Sequence, residues 1–466
     1  MQKGAERLRR VFYLFFAVCF TWVFGNVIFN NMHFSYAVVP VILSTAAWSA
    51  VFFLLAWITR KYGAFLRAHE KICLVGFFVL LFATQIFFYL RLASYPTRDF
   101  DQVFRGAYTY AIAGKMDALQ IDYFYKHPNN LPFTIVLTFL FRAARKFGMD
   151  TYESYIALAS ALNGLCLAAG YLFTYLCARR LKNVHTGFVA LVILYLCLPL
   201  QFLVSVCYTD TTTLWFAPFA FYLYLCAKAQ TKRRHKILLY GAIGIVMGLG
   251  TQIKYSVAFT VIAIAIDAVL SRKWKHVLDK SLARDAATPF SSYIMMSMHG
   301  DGAFNAADRQ FAWAFDTKEE KEAAIRAQIK KQMQSYTPAS FAVFLNQKAV
   351  RSFGSGNMEY DFTAANSPMH QNFWVECISK GGRWYDACGI VTQGWHVAVY
   401  LLCVACAIQS FRRKNHAAFV PLVSLFGLLL FLLFWEASQR YLVNYTAMAV
   451  LGVALLFSEN KKEHTA

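Results

Sequence analysis

The chain has 466 residues, 58% of them hydrophobic, 17% aromatic and only 15% charged, with a formal net charge of +21 from 46 Lys and Arg against 25 Asp and Glu. A soluble globular chain carries roughly 25% charged residues, and here the apolar residues gather in long runs, which excludes a cytosolic enzyme, a disulfide-stapled secreted scaffold and a disordered chain. The basic residues stand in short clusters between apolar runs, the pattern of cytoplasmic membrane loops and not of a nucleic-acid-binding surface, so no nucleic-acid partner is expected.

Residues 1–10 are basic and lead into an apolar run at 11–29. That run is longer than a signal-peptide core and lacks a small-residue cleavage site, so a retained first span is expected. Runs near the ~20 residues needed to cross a bilayer place further spans at 37–58, 72–92, 155–177, 186–206, 212–228, 236–252, 256–271, 395–411, 416–435 and 441–457. Clusters of Lys and Arg at 60–71, 178–183, 228–236, 272–275, 410–416 and 460–466 mark inside loops, which puts 30–35, 93–153, 208–213, 251–255 and 436–444 outside. The short run 131–141 ends at Arg142, Arg145 and Lys146 and reads as a helix lying on, or dipping into, the outer leaflet. The alternation also calls for one more crossing between 272 and 394, where no stretch is apolar enough. That stretch contains a charged helix at 316–336 with a capping-box start at Thr317 and Glu320.

The expected fold is therefore an all-α polytopic membrane protein of about 11 transmembrane helices with a small extracytoplasmic domain. Residues 1–271 form an N-terminal transmembrane region with an outer loop at 93–154, 272–394 the extracytoplasmic domain, and 395–466 the C-terminal transmembrane helices. Nine of the eleven cysteines fall in or beside spans; Cys377 and Cys388 share one polar loop with Gly381 and Gly382 between them. A chain reversal there would allow a disulfide, which persists only in an oxidising compartment. No cysteine spacing resembles a zinc site.

Acids at a membrane boundary are the informative positions, because charge at that depth is costly and usually functional. Asp99 and Asp101 follow the third span; either could serve as a general base, Asp99 with Gln102 could instead cap a helix, and the pair could hold a divalent cation. His127-Pro128-Asn129-Asn130 sets two amides at the surface behind a proline-fixed turn, for substrate contact or simply as a capped turn. Asp210 follows a mid-chain span and either caps the next helix or faces substrate. Glu436 and Arg440, four apart and followed by Tyr441, either pair with each other or leave Arg440 as a fork for a phosphate. Lys254, after Gly248 and Gly250, adds a second cation at the same level.

In this order along the chain the motifs resemble the GT-C superfamily of integral membrane glycosyltransferases, nearest to the family 39-like protein O-mannosyltransferases and the aminoarabinose transferases of lipid A, in a Gram-positive-like version. The resemblance runs from Asp99 to Lys254 and from Tyr293 to Tyr441, and departs in having Asp-Phe-Asp and Pro-Asn-Asn at two motifs and two spans before the acidic loop's own. It implies a multi-pass protein of the cell membrane with its active site on the extracytoplasmic face. It implies an inverting transfer of sugar from a polyprenyl-phosphate donor to an acceptor that is a wall or capsule glycopolymer, a glycolipid or a protein. Asp99, with Asp101 beside it, matches the general base. His127, Asn129, Asn130, Asp210, Lys254, Glu436, Arg440 and Tyr441 become the expected substrate-binding set. Two other classes fit the composition: a transporter or flippase for lipid-linked sugars, which would place its charges inside the spans, and a polysaccharide polymerase or ligase, which would not need Asp99.

Overall fold

A computed structural model describes residues 2–29, 37–271, 290–300, 302–303, 305–315 and 318–458. The described chain is helical; its only β feature is an isolated bridge between Ser94 and Pro368. Six helices are long and apolar enough to cross a membrane: Gly4–Phe29, Val38–Lys61, Glu70–Leu92, Tyr152–Leu181, Arg233–Ile253 and Tyr385–Arg413. The protein is a polytopic membrane protein. The expected span 186–206 is a bent pair, Val184–Tyr195 and Leu198–Ser205, broken by 65°. The expected spans 212–228, 256–271, 416–435 and 441–457 correspond to shorter helices, Phe216–Ala229, Ala258–Ser271, Phe419–Phe434 and Thr446–Leu456. The run 131–141 lies within one amphipathic helix, Leu131–Lys146, that buries Phe133, Leu137 and Phe141 and exposes Ile135, Val136 and Phe139.

The break at Pro199 shows how polar side chains make irregular backbone tolerable in a dry environment. Proline supplies no N–H and ends the preceding helix, so carbonyls are freed where no water can satisfy them. Gln201 donates to the Tyr195 carbonyl at 3.0 Å. Asn163, buried in the Tyr152–Leu181 helix, donates to the carbonyls of Leu203, Val204 and Val206 at 2.9–3.0 Å. The break thereby delivers the next turn, Thr209–Thr212, to one end of the bundle.

The core is built around the Tyr385–Arg413 helix, which packs on both Gln2–Phe29 and Val38–Lys61. Its contact with the latter requires a glycine: a Cβ on Gly394 would stand 2.0 Å from the Ser44 hydroxyl oxygen. The helix starts at Tyr385, inside the stretch expected as a separate domain. Val38–Lys61 and Glu70–Leu92 expose Leu43, Phe53, Trp57, Val79, Ile86 and Leu90, an apolar outer face of the kind that a bilayer covers. At the end carrying the basic loops, Asp267, an acid within the expected span 256–271, is buried and bound by Arg9 at 2.9 Å, Lys228 at 3.2 Å and the Tyr224 hydroxyl at 2.7 Å.

Within 290–384, Met295 and Ile325 form a small cluster of their own, whereas Phe353, Met358, Tyr360 and Val375 join the main core. The capping position Thr317, the basic residues 272–275 and residues 276–289 of the stretch searched for a missing crossing lie outside the described residues. Cys377 and Cys388, the pair for which a bridge is expected, stand as separate thiols in this structure. The reversal at Gly381 (φ +84°) is present, but Cys377 is buried on the Phe373–Ile378 helix and the Cys388 sulfur faces the Tyr360 hydroxyl at 3.6 Å.

Candidate active site

Four stretches far apart in sequence meet at one end of the bundle. The first is the Arg98–Ala113 helix, which follows the Glu70–Leu92 span directly. It begins at Arg98 with Thr97 as an N-cap that makes no side-chain bond, so Asp99 is not a cap; it lies in the first turn. The helix is held from below by Phe104, packed edge-on against Phe141 and Tyr152 at 5.2 Å, and by Gly106, where a Cβ would come within 2.7 Å of the Phe124 ring. Asp99 thus faces the Tyr123 hydroxyl. That hydroxyl accepts a hydrogen bond from Asn130 at 2.6 Å, leaving its own proton to donate to the carboxylate. Burial, then Asp99, push the Tyr123 hydroxyl well above its ordinary value of 10, so it stays a donor.

Asp101 does not share this environment. Residues two apart on a helix point to nearly opposite sides, and Asp101 instead pairs with Arg105 on its own helix at 2.7 Å. Burial raises its carboxyl and Arg105 opposes the rise. The two acids therefore do not converge on one cation. Among the described residues, no group of three His, Cys, Asp or Glu side chains is arranged to hold a metal ion.

The second stretch contributes Asp210, buried in the Thr209–Thr212 turn as a first-turn residue and not a cap. The third contributes Lys254, which ends the Arg233–Ile253 helix and brings its ammonium 2.5 Å from Asp210 Oδ1. Both side chains are nearly removed from solvent, and neither Asp210 oxygen has a hydrogen bond of good geometry among the described residues. The pair is one of charge, with acceptor capacity left over. Lys254 also sits 4.4 Å over the Tyr441 ring. Burial pulls the Lys254 ammonium down and Asp210 pulls it back up.

The fourth stretch runs from Trp435 to Tyr441. Of the two alternatives for Glu436 and Arg440, the close helical pair is not formed, because Trp435 and Ser438 are extended and i, i+4 spacing does not apply. The nearest acid to Arg440 is Glu359, with Nε–Oε2 at 3.4 Å. Burial works against the Arg440 charge, but Asp210, Glu359, Tyr208 and Glu436 surround it and hold it fully protonated. Burial raises the Glu436 carboxyl, and Arg440 opposes that. Tyr208 stands between Asp99 and Asp210 and reaches Asn130 Oδ1 at 3.5 Å. The amide of Asn129 also donates to Asn130, and the His127 ring packs on Tyr123 at 4.8 Å, so both lie behind the Tyr123–Asn130 contact.

Residues that sequence reasoning passed over complete the arrangement. Glu359 accepts hydrogen bonds from the Ser438 hydroxyl at 2.6 Å and the Gln439 N–H at 3.0 Å. It is delivered by a loop pinned to the central helix: Gln393 binds both Gly354 and Gly356, and a Cβ on Gly356 would lie 2.4 Å from the Thr392 carbonyl oxygen. Lys348, fully buried, donates to the carbonyls of Ser297 and Trp435 at 2.8 and 2.9 Å and so fixes the peptide just before Glu436. The signal available in the sequence was the pair of glycines at 354 and 356 in a polar stretch, which marks close backbone approach without saying to what.

The site joins a carboxylate with one oriented donor, two half-buried cations and three further acids, an arrangement suited to taking a proton from a hydroxyl beside a group that gains negative charge. Residues 131–290, which carry Asp210 and Lys254, match the family model described as dolichyl-phosphate-mannose-protein mannosyltransferase. Residues 281–461, which carry Glu359, Glu436 and Arg440, match one described as conserved hypothetical integral membrane protein. No match was found among the curated proteins or among solved structures. The first match, on a chain of several long apolar helices, supports a multi-pass membrane glycosyltransferase of the GT-C type.

Proposed function

We propose that this protein is an inverting glycosyltransferase that moves a sugar from a polyprenyl-phosphate donor to a hydroxyl acceptor on the extracytoplasmic side of the membrane. The observation that carries the reading is the meeting of Asp99, Asp210, Lys254, Glu436 and Arg440, from four separate stretches, in one polar cluster at the end of the bundle opposite the Asp267 cluster. That end carries the loops poor in Lys and Arg clusters, which the positive-inside rule places outside.

Asp99 takes the acceptor proton as the acceptor oxygen attacks the anomeric carbon. The bond from that carbon to the phosphate oxygen breaks with its electron pair, and the polyprenyl phosphate leaves with one more negative charge. Arg440 and Lys254 are the groups for that charge, fixed in position before the reaction so that little reorganisation is needed. Tyr123, bonded by Asn130, keeps Asp99 turned toward the polar cluster. Asp210 and Glu359 hold the two cations in place and offset their charge. The acceptor is a wall or capsule glycopolymer, a glycolipid or a protein. Incubating purified protein in nanodiscs with labelled sugar on a polyprenyl phosphate, and offering each acceptor class in turn, tests the reading; no release of label with any acceptor, or retention of anomeric configuration, overturns it.

A further inference from the structure

Arg98, the residue immediately before Asp99, has no role in the account so far, yet its backbone is strained. Its φ is +57°, in the left-handed region that an arginine adopts only when its surroundings impose it. The side chain shows what is gained. The guanidinium carbon lies 3.1 Å from the centroid of the Phe362 ring, and the group makes no hydrogen bond or ion pair among the described residues. The charges facing it are Arg440, Glu359 and Asp99.

The facing segment is strained as well. Met358 and Glu359 both have positive φ, +50° and +62°. They lie in a stretch docked on the chain just before Arg98: Tyr95 N–H donates to Ser367, Met369 N–H to Ala93, and the Asn372 amide to Arg91. Left-handed turns in both facing segments set Arg98 on the exposed side and the half-buried Arg440 deeper, with the Glu359 carboxylate as the one anion the two guanidiniums share. A planar cation held flat on an aromatic ring, uncommitted and close to another guanidinium, is ready for an oxyanion.

We infer that Arg98, seated on Phe362, is the second guanidinium for the donor phosphate, binding it jointly with Arg440. The inference rests on the glycosyltransferase reading above and deepens it. A phosphodiester offers two free oxygens, one for each fork. When the bond to the sugar breaks the phosphate gains a second charge, so the Arg98 contact strengthens as the reaction proceeds. Arg98 also shares a peptide unit with the base, so the clamp fixes the distance between the leaving group and the residue that activates the attacking hydroxyl. Lysine cannot replace it, because an ammonium neither stacks on Phe362 nor spans two oxygens.

The test is equilibrium binding of a polyprenyl monophosphate to the full chain in phosphatidylcholine nanodiscs. Arg98→Gln is expected to weaken binding about tenfold, and Phe362→Leu, which keeps the charge and removes the platform, several-fold. Asp101→Asn, outside the cluster and paired with Arg105, is expected to bind as wild type. Thermal unfolding identifies any variant that fails to fold; Phe362→Leu, which leaves residue 98 itself unchanged and whose own backbone is helical, then stands in for Arg98→Gln. Binding within twofold of wild type for both variants, while Arg440→Lys loses affinity, overturns the clamp and leaves the glycosyltransferase reading standing. A raised acceptor KM with unchanged polyprenyl phosphate binding also overturns it, since it places Arg98 on the acceptor. Wild-type protein that fails to bind the lipid phosphate overturns the donor reading and the clamp with it.

Discussion

The Lys254–Asp210 pair separates structure from chemistry in one double-mutant cycle. At 2.5 Å, Coulomb's law with an effective dielectric of about 20 gives an attraction of about 7 kcal/mol. Most of this is offset by the cost of taking both charges out of water, and removing one partner strands the other, at about 3–5 kcal/mol. Asp210→Asn and Lys254→Met should therefore each destabilise by about that amount, while the double variant, with no stranded charge, returns close to wild type. Thermal and denaturant unfolding of the purified protein in detergent reads the stability, and sugar transfer reads function. Both variants that lack Lys254 should lack transfer, because the proposed mechanism sets Lys254 against the leaving phosphate, and Asp210→Asn should be impaired through the loss of its hold on Lys254; the double variant should be stable and inactive. Single losses below about 1 kcal/mol that simply add, or transfer restored in the double variant, would refute the reasoning.

Asp101→Asn should retain transfer within about threefold of wild type, since its carboxylate is spent on Arg105; loss comparable to that of Asp99→Asn, measured in the same assay, would move the base. Gly394→Ala should cost about 1–3 kcal/mol or more by overpacking, because the new methyl meets Ser44 at its hydroxyl and, at 2.7 Å, its carbonyl carbon; unfolding temperature checks it. Lys348 is pulled by burial from 10.5 down to about 7. With the folded value below the unfolded one, the unfolded state binds more protons in between, so stability should rise as pH climbs from about 7 toward 10. Unfolding temperature against pH should show this slope in wild type and a shallower one in Lys348→Met.

Much of the site was legible because its residues break local rules. Asp99, Asp210, Lys254, Glu436 and Arg440 are charges at the ends of apolar runs, where a charge needs a reason, and the structure gathers all five. What the sequence left open was direction. The i, i+2 spacing of Asp99 and Asp101 makes them look like a unit, whereas helix geometry turns them apart. Glu436 and Arg440 have the spacing of a helical pair, but the backbone is extended there and Arg440 turns to Glu359, 81 positions away. Glu359, Phe362 and Lys348 were illegible because their meaning lies in long-range docking of a polar stretch onto the Tyr385–Arg413 helix and the Trp435 peptide. Hydropathy likewise marks where a span begins but not that Pro199 breaks it, or that Asn163 and Gln201 repair the break. The two cysteines raise a related point: sequence proximity and a glycine turn say that two thiols can meet, not which way each faces, and here they stand apart.

The central claim is that Asp99 activates an acceptor hydroxyl against a polyprenyl-phosphate-linked sugar, and single-turnover transfer with wild type and Asp99→Asn tests it most directly. With labelled donor prebound, wild type should release polyprenyl phosphate and form inverted glycoside in step with each other. Asp99→Asn should bind donor as wild type does and transfer at least about 100-fold more slowly, the scale of a lost general base. Transfer by Asp99→Asn within a few-fold of wild type would contradict the account.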